Sequence, residues 1–173
     1  MLQLILGGAR SGKSRLAEKI AQDSGLMVHY VATAQALDAE MQSRIAHHQA
    51  QRPTHWLLSE EPLYLADRLL AIDAPQQLIL IDCLTLWMTN LLLADDQSLL
   101  QQQIQKLLEI LPQLQSEIVM VSNETGLGVV PLGALSRTFV DESGRLHQQL
   151  AHIAHKVLFC VAGLSMQLKG EQT

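Results

Sequence analysis

The 173-residue sequence has few aromatic side chains, only two cysteines and no excess of basic charge. Aromatic residues make up 3% of a chain that is 48% hydrophobic, so its core must consist mainly of Leu, Ile, Val and Ala. The net charge of −5 argues against nucleic acid as the main partner, because a protein that binds a phosphate backbone needs a basic face. Cys83 and Cys160 are isolated after strand-like runs, which predicts reduced core thiols, not a disulfide or metal site.

Long hydrophobic runs are also missing from the sequence. The longest apolar run is far shorter than the roughly 20 residues that cross a bilayer. Met1 leads directly into an apolar segment, without the positively charged region that opens a signal peptide. We therefore expect a cytoplasmic protein with no membrane span. The length predicts one domain over residues 1–173.

A phosphate-binding motif stands near the start of the chain. It fits the P-loop pattern G-x-x-x-x-G-K-[S/T] and consists of Gly7, Gly8, Ala9, Arg10, Ser11, Gly12, Lys13 and Ser14, which we call the P-loop. An apolar strand-like run precedes it and a helical pattern follows, which disfavours the alternative of a chance glycine-rich turn. In such a loop, backbone N–H groups and the helix N-terminus attract phosphate, Lys13 reaches the β- and γ-phosphates, and Ser14 can ligate Mg²⁺. The motif predicts binding of a nucleoside triphosphate.

Apolar strand candidates alternate with helical segments along the chain. The strand candidates are Leu2–Leu6, Met27–Ala32, Leu78–Asp82, Ile118–Ser122 and Val157–Ala162, with an antiparallel strand predicted over 164–169 after a turn near Gly163. The longest helical pattern covers 98–114. Alternation of this kind predicts an α/β fold with a mostly parallel sheet flanked by helices, whose binding sites lie at the C-terminal ends of the strands.

Asp82 ends a buried strand candidate, Leu-Ile-Leu-Ile-Asp, which has the form of a Walker B strand. A carboxylate in this position holds Mg²⁺ directly or through water. The alternative is that Asp82 only caps the following helix. The P-loop upstream favours the metal role.

Residues 38–52 predict a helix that ends at Arg52-Pro53 and carries His47 and His48. Adjacent histidines are usually solvated surface residues, and their spacing does not suit a zinc pair, which needs positions i and i+4. A neutral imidazole can, however, act as a nucleophile toward phosphorus. The residues alone leave a surface role and a catalytic role open for His47.

Two later segments carry polar groups next to predicted strands and helices. Residues 122–131, Ser-Asn-Glu-Thr-Gly-Leu-Gly-Val-Val-Pro, follow a predicted strand. In one interpretation, this segment bends around a ligand and Asn123 or Glu124 points into the cleft. In the other, it is a plain connection between a strand and a helix. A helix is predicted to begin near residue 141, with Asp141 or Ser143 as its N-cap. Arg137 and Arg145 are candidates for phosphate or interface contacts, or for a solvated face.

Several motifs together are similar to those of one family. They are residues 7–14, Tyr-Val-Ala-Thr-Ala at 30–34, Arg-Ile-Ala-His-His at 44–48, Arg52-Pro53 with Trp56, Thr-Asn-Leu-Leu at 89–92, and Asn-Glu-Thr-Gly-Leu-Gly-Val-Val-Pro at 123–131. Across nearly its whole length, the chain resembles the bifunctional adenosylcobinamide kinase / adenosylcobinamide-phosphate guanylyltransferase of cobalamin biosynthesis.

The resemblance implies two reactions on adenosylcobinamide. A nucleoside triphosphate, ATP or GTP, phosphorylates its hydroxyl group, and GMP from GTP then reaches that phosphate through a histidine-GMP intermediate. The guanylylated histidine corresponds to His47, with Lys13 as the other catalytic residue and Ser14 and Asp82 as Mg²⁺ ligands. The implied nucleotide contacts beyond the P-loop are Ala32, Thr33, Ala34, His48, Gln49, Ala50, Gln51, Glu60 and Asp82. The resemblance further implies a RecA-like P-loop fold and a homotrimer.

The chain departs from the family pattern at two positions, His147 and His155, where Asn and Asp are frequent. Both lie outside the motifs, so they bear on the contacts of the final helix and not on the chemistry.

A simple P-loop kinase without guanylyltransfer is the main rival interpretation. A nucleotide switch is disfavoured because the guanine-reading pattern Asn-Lys-x-Asp is missing, and a structural protein would leave the P-loop unexplained.

Overall fold

A computed structural model describes residues 1–35 and 53–170 of the chain. Its strands all belong to one sheet, in the spatial order β3-β2-β4-β5-β1-β6-β7. They are β1 (Leu2–Gly7), β2 (Met27–Ala32), β3 (Leu57–Glu60), β4 (Gln77–Asp82), β5 (Glu117–Asn123), β6 (Lys156–Val161) and β7 (Leu164–Lys169).

Neighbouring strands of this sheet are parallel except for β6 and β7, which are antiparallel. The parallel strands therefore end at a common edge, the C-terminal edge. There, Gly7 pairs with Asn123, and Ala32 pairs with both Asp82 and Glu60. Because β5 lies between β1 and β4, the end of β5 separates the P-loop from Asp82.

Helices cover both faces of the sheet. They are α1 (Lys13–Asp23), α2 (Leu65–Ile72), α3 (Leu84–Leu92), α4 (Leu99–Ile110) and α5 (Ala134–Ile153). On one face, Ala17 and Ala21 of α1 belong to a buried cluster with Val119 and Val121 of β5. The other four helices contribute to a second cluster, which includes the fully buried Trp87 of α3. Apolar cover on two faces explains why the central strands are apolar almost without interruption.

The predicted fold class, α/β with a mostly parallel sheet flanked by helices, is confirmed. The five predicted parallel strands lie within one residue of their expected bounds, and β7 is antiparallel as predicted. The long helical pattern forms α4 and then a 3₁₀ turn over Leu111–Gln113, where Pro112 ends the regular helix. The helix predicted over residues 38–52 lies outside the described residues.

Two predictions about local structure need correction. β3 was not predicted, because its four residues are a short edge strand with exposed Leu57 and Leu58 and no buried apolar run. The prediction that Asp141 or Ser143 caps a helix is wrong, since both lie inside α5, which begins at Ala134. Asp-Glu-Ser-Gly is typical of a turn, but the apolar face of α5 packs in the core, and this packing stabilises the helical conformation across these four residues.

Both cysteines are buried and free, as predicted. Burial and, to a smaller extent, the nearby Asp82 charge raise the pKa of Cys83 to about 11, so the thiol stays protonated at neutral pH. Burial also raises the pKa of Cys160. Within residues 1–35 and 53–170, every helix is too short or too polar to cross a membrane.

Candidate nucleotide site

The P-loop motif forms a turn that connects β1 to α1. The Ser11 N–H donates to the Gly8 carbonyl at 3.3 Å, and the Leu16 N–H donates to the Gly12 carbonyl at 3.0 Å as α1 begins. Lys13 is only 8% exposed, and its Nζ donates to the Gly8 carbonyl at 3.1 Å. The ammonium group is therefore held across the loop, where a bound phosphate would meet it.

Two glycines of this loop are required by close contacts. A Cβ on Gly7 would lie 2.6 Å from both the Cys160 carbonyl oxygen and Ser11 Oγ. Gly12 has φ +95°, and a Cβ there would lie 3.2 Å from Gly163 Cα. The Gly163 N–H also donates to the Ser11 carbonyl at 2.9 Å, so the turn between β6 and β7 supports the P-loop directly.

Asp82 ends β4 on the C-terminal edge and is half-buried. Its Oδ2 accepts a hydrogen bond of 3.0 Å from the Tyr30 hydroxyl. The alternative that Asp82 caps the following helix is wrong, because the N-cap of α3 is Cys83 and no side chain caps it.

The donor set expected for Mg²⁺ consists of the Asp82 carboxylate and the hydroxyl of Ser14, a half-buried residue in the first turn of α1. Oxygen donors of this kind suit Mg²⁺, which commonly binds one or two protein oxygens together with phosphates and water. Hydrogen bonding to Tyr30 orients the carboxylate without using all of its acceptor capacity. The residues therefore fit the ion. Within the described ranges, no cluster of three or more His, Cys, Asp or Glu side chains could hold a metal by itself.

Thr33 joins the ends of β2 and β4. Its side chain is fully buried, and its Oγ1 donates to the Cys83 carbonyl at 2.7 Å and accepts from the Cys83 N–H at 3.0 Å. The Asn90 side-chain amide adds hydrogen bonds to the carbonyls of Thr33 at 2.8 Å and Pro62 at 3.1 Å. The Thr33 hydroxyl is thus committed to the protein, while its half-buried neighbours Ala32 and Ala34 line the same edge.

Glu60 is the exposed last residue of β3 and pairs with Ala32 across the strands. It therefore lies on the C-terminal edge, with β2 and β4 between it and β5. The next residue, Glu61, serves the fold, because its N–H donates to the Ala32 carbonyl and its Oε1 accepts from the N–H groups of Leu63 and Tyr64.

A further group of polar side chains meets at the end of β5. His147 of α5 is buried, and its Nε2 lies 2.8 Å from Ser122 Oγ. Its Nδ1 lies 3.5 Å from Glu124 Oε2. Thr85 Oγ1 lies 3.4 Å from Ser122 Oγ and accepts the Asn123 N–H at 2.7 Å.

The structure thus brings the P-loop, Asp82, residues 32–34 and Glu60 to the C-terminal edge. The other predicted site residues, His47, His48, Gln49, Ala50 and Gln51, lie outside the described residues. Sequence reasoning assigned no role to Thr85, Asn90 or His147, although the deviation from the family pattern at His147 was a signal. For residues 122–131 the sequence left a role in the cleft and a plain connection open, and in the structure Glu124 directly follows the end of β5.

Comparison with known proteins identifies the family. The family model described as cobinamide kinase / cobinamide phosphate guanyltransferase matches residues 3–168. The bifunctional adenosylcobalamin biosynthesis protein CobP of Pseudomonas aeruginosa is 60% identical over 171 residues, 99% of each chain. The bifunctional adenosylcobalamin biosynthesis protein CobU of Escherichia coli is 40% identical over 182 residues, covering 98% of this chain and 100% of the relative.

A solved structure of a Pyrococcus horikoshii protein is similar in fold. Its TM-score is 0.58 at 9% identity, covering 99% of this chain and 87% of the other, so the likeness concerns the fold alone. The family model and the curated relatives confirm the resemblance noted in the sequence. The chain belongs to the cobinamide kinase / cobinamide phosphate guanyltransferase family and is an enzyme with kinase and nucleotidyltransferase activities.

Proposed function

We propose that this enzyme phosphorylates adenosylcobinamide with ATP or GTP and then transfers GMP from GTP to the product, giving adenosylcobinamide-GDP. The observation that carries this proposal is the intact P-loop, whose buried Lys13 lies across the loop beside the end of β5. The names of the relatives, which describe bifunctional proteins, favour this function over a kinase without guanylyltransfer.

In the kinase step, the corrinoid hydroxyl oxygen attacks the γ-phosphorus and the bond to the β–γ bridging oxygen breaks. Lys13 and the N–H groups of residues 8–14 bind the phosphates and stabilise the charge that the leaving nucleoside diphosphate acquires. We propose Ser14 and Asp82 as Mg²⁺ ligands. When bound, the ion would neutralise phosphate charge.

In the guanylyltransferase step, a nitrogen of His47 attacks the α-phosphorus of GTP and pyrophosphate leaves. A phosphate oxygen of the phosphorylated corrinoid then attacks the histidine-bound GMP and releases the imidazole. The P-loop serves both steps, because it binds the triphosphate tail in each. Further proposed nucleotide contacts come from residues 32–34, residues 48–51 and Glu60.

The wider setting of the enzyme is part of the same proposal. We expect a single domain over residues 1–173, a homotrimer and a cytoplasmic location. The sheet supports the first of these, because all strands of the described residues belong to it. Size-exclusion chromatography with light scattering tests the trimer.

The test of function is the intact mass of the protein after incubation with GTP and Mg²⁺. We expect a gain of one GMP, labile in acid and stable in base, that disappears in His47→Ala. His152→Ala is the matched control, because His152 is an exposed histidine near the end of α5. An adduct that persists in His47→Ala would move the nucleophile to another residue, such as His48. Bound nucleotide without any adduct would favour the kinase-only alternative.

A further inference from the structure

The polar group at the end of β5 includes a carboxylate that accepts one backbone hydrogen bond and lies close to a buried histidine. Glu124 Oε1 accepts the Gly126 N–H at 2.6 Å, and Glu124 Oε2 faces His147 Nδ1 at 3.5 Å. The His147 side chain is 8% exposed, whereas the Glu124 side chain is 19% exposed. The carboxylate is therefore oriented by the protein and still accessible to a ligand.

The hydrogen bonds of this group agree with one direction of donation. Thr85 Oγ1 accepts the Asn123 N–H, so its own hydroxyl can donate to Ser122 Oγ. The Ser122 hydroxyl can then donate to His147 Nε2, which leaves the proton of the neutral ring on Nδ1, facing Glu124. Burial lowers the pKa of His147, and the Glu124 carboxylate opposes this only in part, so the ring is neutral at pH 7. Hydrogen bonds thus link Thr85, Ser122 and His147, and the ring approaches the glutamate at 3.5 Å through Nδ1, a buried atom that makes no hydrogen bond itself in the described part of the chain.

The backbone of Glu124 lies directly beside the phosphate loop. The Glu124 N–H donates to the carbonyl of Gly7, the first P-loop residue, at 3.0 Å. The preceding residue, Asn123, pairs with Gly7, and its Oδ1 is buried with no hydrogen-bond partner in the described part of the chain. A buried acceptor without a donor points to a ligand group at this position, because such atoms are otherwise satisfied.

We propose that Glu124 is the proton acceptor of the kinase step and that His147 is its positioning residue. As the corrinoid hydroxyl oxygen forms its bond to the γ-phosphorus, the hydroxyl proton passes to Glu124 Oε2. The bond between the γ-phosphorus and the β–γ bridging oxygen breaks, and the nucleoside diphosphate leaves with that electron pair. Atoms and charge balance without a further reactant, and the carboxylic acid returns its proton to water.

The assignment rests on the proposed function and separates its two reactions. A hydroxyl nucleophile must lose a proton during attack, so phosphoryl transfer benefits from a carboxylate. An imidazole attacks through a nitrogen lone pair that carries no proton, so formation of the histidine-GMP intermediate does not need Glu124. Removal of the carboxylate should therefore slow the first reaction and spare the second.

The experiment compares Glu124→Gln with the unaltered enzyme in two assays. Transfer of labelled γ-phosphate to adenosylcobinamide should fall at least about 100-fold. The GMP adduct formed with GTP and the midpoint of thermal unfolding should stay unchanged. Glu117→Gln is the matched control, because Glu117 is the first residue of β5 and lies at the N-terminal ends of the parallel strands, away from the C-terminal edge. Its variant should keep both activities.

Two outcomes would overturn the assignment. One is phosphoryl transfer by Glu124→Gln within about threefold of the unaltered enzyme. The other is an equal loss of phosphoryl transfer and adduct, which would make Glu124 part of the common nucleotide site, for example through a metal ion. If the unaltered enzyme forms neither product nor adduct, the proposed function itself fails, and this assignment fails with it.

The positioning role of His147 is tested by changes in kcat and KM that a general loss of folded protein would not produce. His147→Ala should lower kcat of the kinase step about 10-fold and leave the KM for nucleotide unchanged. His147→Asn should restore part of kcat, because its amide can accept from Ser122 and donate to Glu124. In the Glu124→Gln background, His147→Ala should have no further effect on kcat. Additive losses in the double variant would contradict a role through Glu124.

Discussion

The C-terminal edge of the sheet contains two regions that are built in different ways. The phosphate loop, residues 7–14, is shaped by backbone hydrogen bonds and close contacts of glycines, and Lys13 is held on a backbone carbonyl. The neighbouring strand ends are joined instead by contacts of polar side chains with one another and with backbone groups, which we call the strand-end network. Its members are Thr33, Thr85, Asn90, Ser122, Glu124 and His147.

The two regions are suited to different tasks, phosphate binding in the loop and orientation of reactive side chains at the strand ends. Phosphate is common to every nucleotide, and a backbone loop binds it regardless of the reaction that follows. Side chains at the strand ends can hold a carboxylate in one orientation, as the Tyr30 hydroxyl does for Asp82. Under the proposed function, the loop would bind phosphate in both reactions, and Glu124 of the strand-end network would accept the proton in the kinase step.

The largest effect should come from the side chain that completes the phosphate loop. Lys13→Ala should lower both phosphoryl transfer and adduct formation about 10²–10³-fold, because a donor to the transition-state charge is lost. Lys19→Ala is the control, since Lys19 lies on the same helix but pairs with Asp23 on an exposed face. Loss of only one activity would show that the two reactions do not share the loop.

A methyl group at Gly7 should have the next largest effect. Because its Cβ would meet the Cys160 carbonyl at 2.6 Å, Gly7→Ala should destabilise the fold by about 1–3 kcal/mol and weaken nucleotide binding. Urea unfolding and calorimetric titration with nucleotide measure the two effects. Gly8→Ala is the matched control for stability, since no atom lies within 4 Å of its Cβ position. Equal stability of the two variants would contradict the packing argument.

Thr33→Val tests whether the strand-end network stabilises the fold. The change leaves the buried Cys83 N–H without its acceptor, whereas the Cys83 carbonyl keeps the Trp87 N–H, so the free energy of unfolding should fall by about 1–3 kcal/mol. Thr138→Val is the control, because the Thr138 hydroxyl bonds a carbonyl on the exposed side of α5. An unchanged urea midpoint for Thr33→Val would show that the Cys83 groups find other partners.

The smallest effect should be a pH dependence that comes from His147. Its pKa in the folded protein is below the ordinary value of 6.5, because burial disfavours the charged ring more than Glu124 favours it. The unfolded chain therefore binds more protons than the folded protein as pH falls below about 6.5, and stability decreases there. Urea unfolding between pH 8 and pH 5 should show a shallower loss in His147→Asn. Identical slopes would exclude His147 as the cause.

The phosphate loop could be predicted because its determinants are local. Glycines, Lys13 and Ser14 occur at fixed spacing within eight residues, and the backbone conformation follows from that spacing. The buried strands were equally accessible, because two-sided burial requires a continuous apolar run. Asp82 was found because it ends such a run.

The strand-end network could not be read from the sequence because its members are distant along the chain. Thr85, Ser122 and His147 meet only after β5 and α5 pack, and no spacing within one segment connects them. α5 itself was misplaced, since its start depends on tertiary packing more than on the turn-like residues at 141–144. β3 was missed for a different reason. It is an edge strand with exposed leucines, so its sequence does not show the buried apolar run by which the other strands were predicted.

The hydrogen bond from the Gly163 N–H to the Ser11 carbonyl gives the phosphate loop a natural reporter. This amide can exchange its hydrogen with solvent deuterium only when the loop and the β6–β7 turn separate. Nucleotide that closes the loop should therefore slow deuterium uptake at Gly163. The rate of deuterium uptake at Gly163, in the turn between β6 and β7, would then report how often the phosphate loop opens.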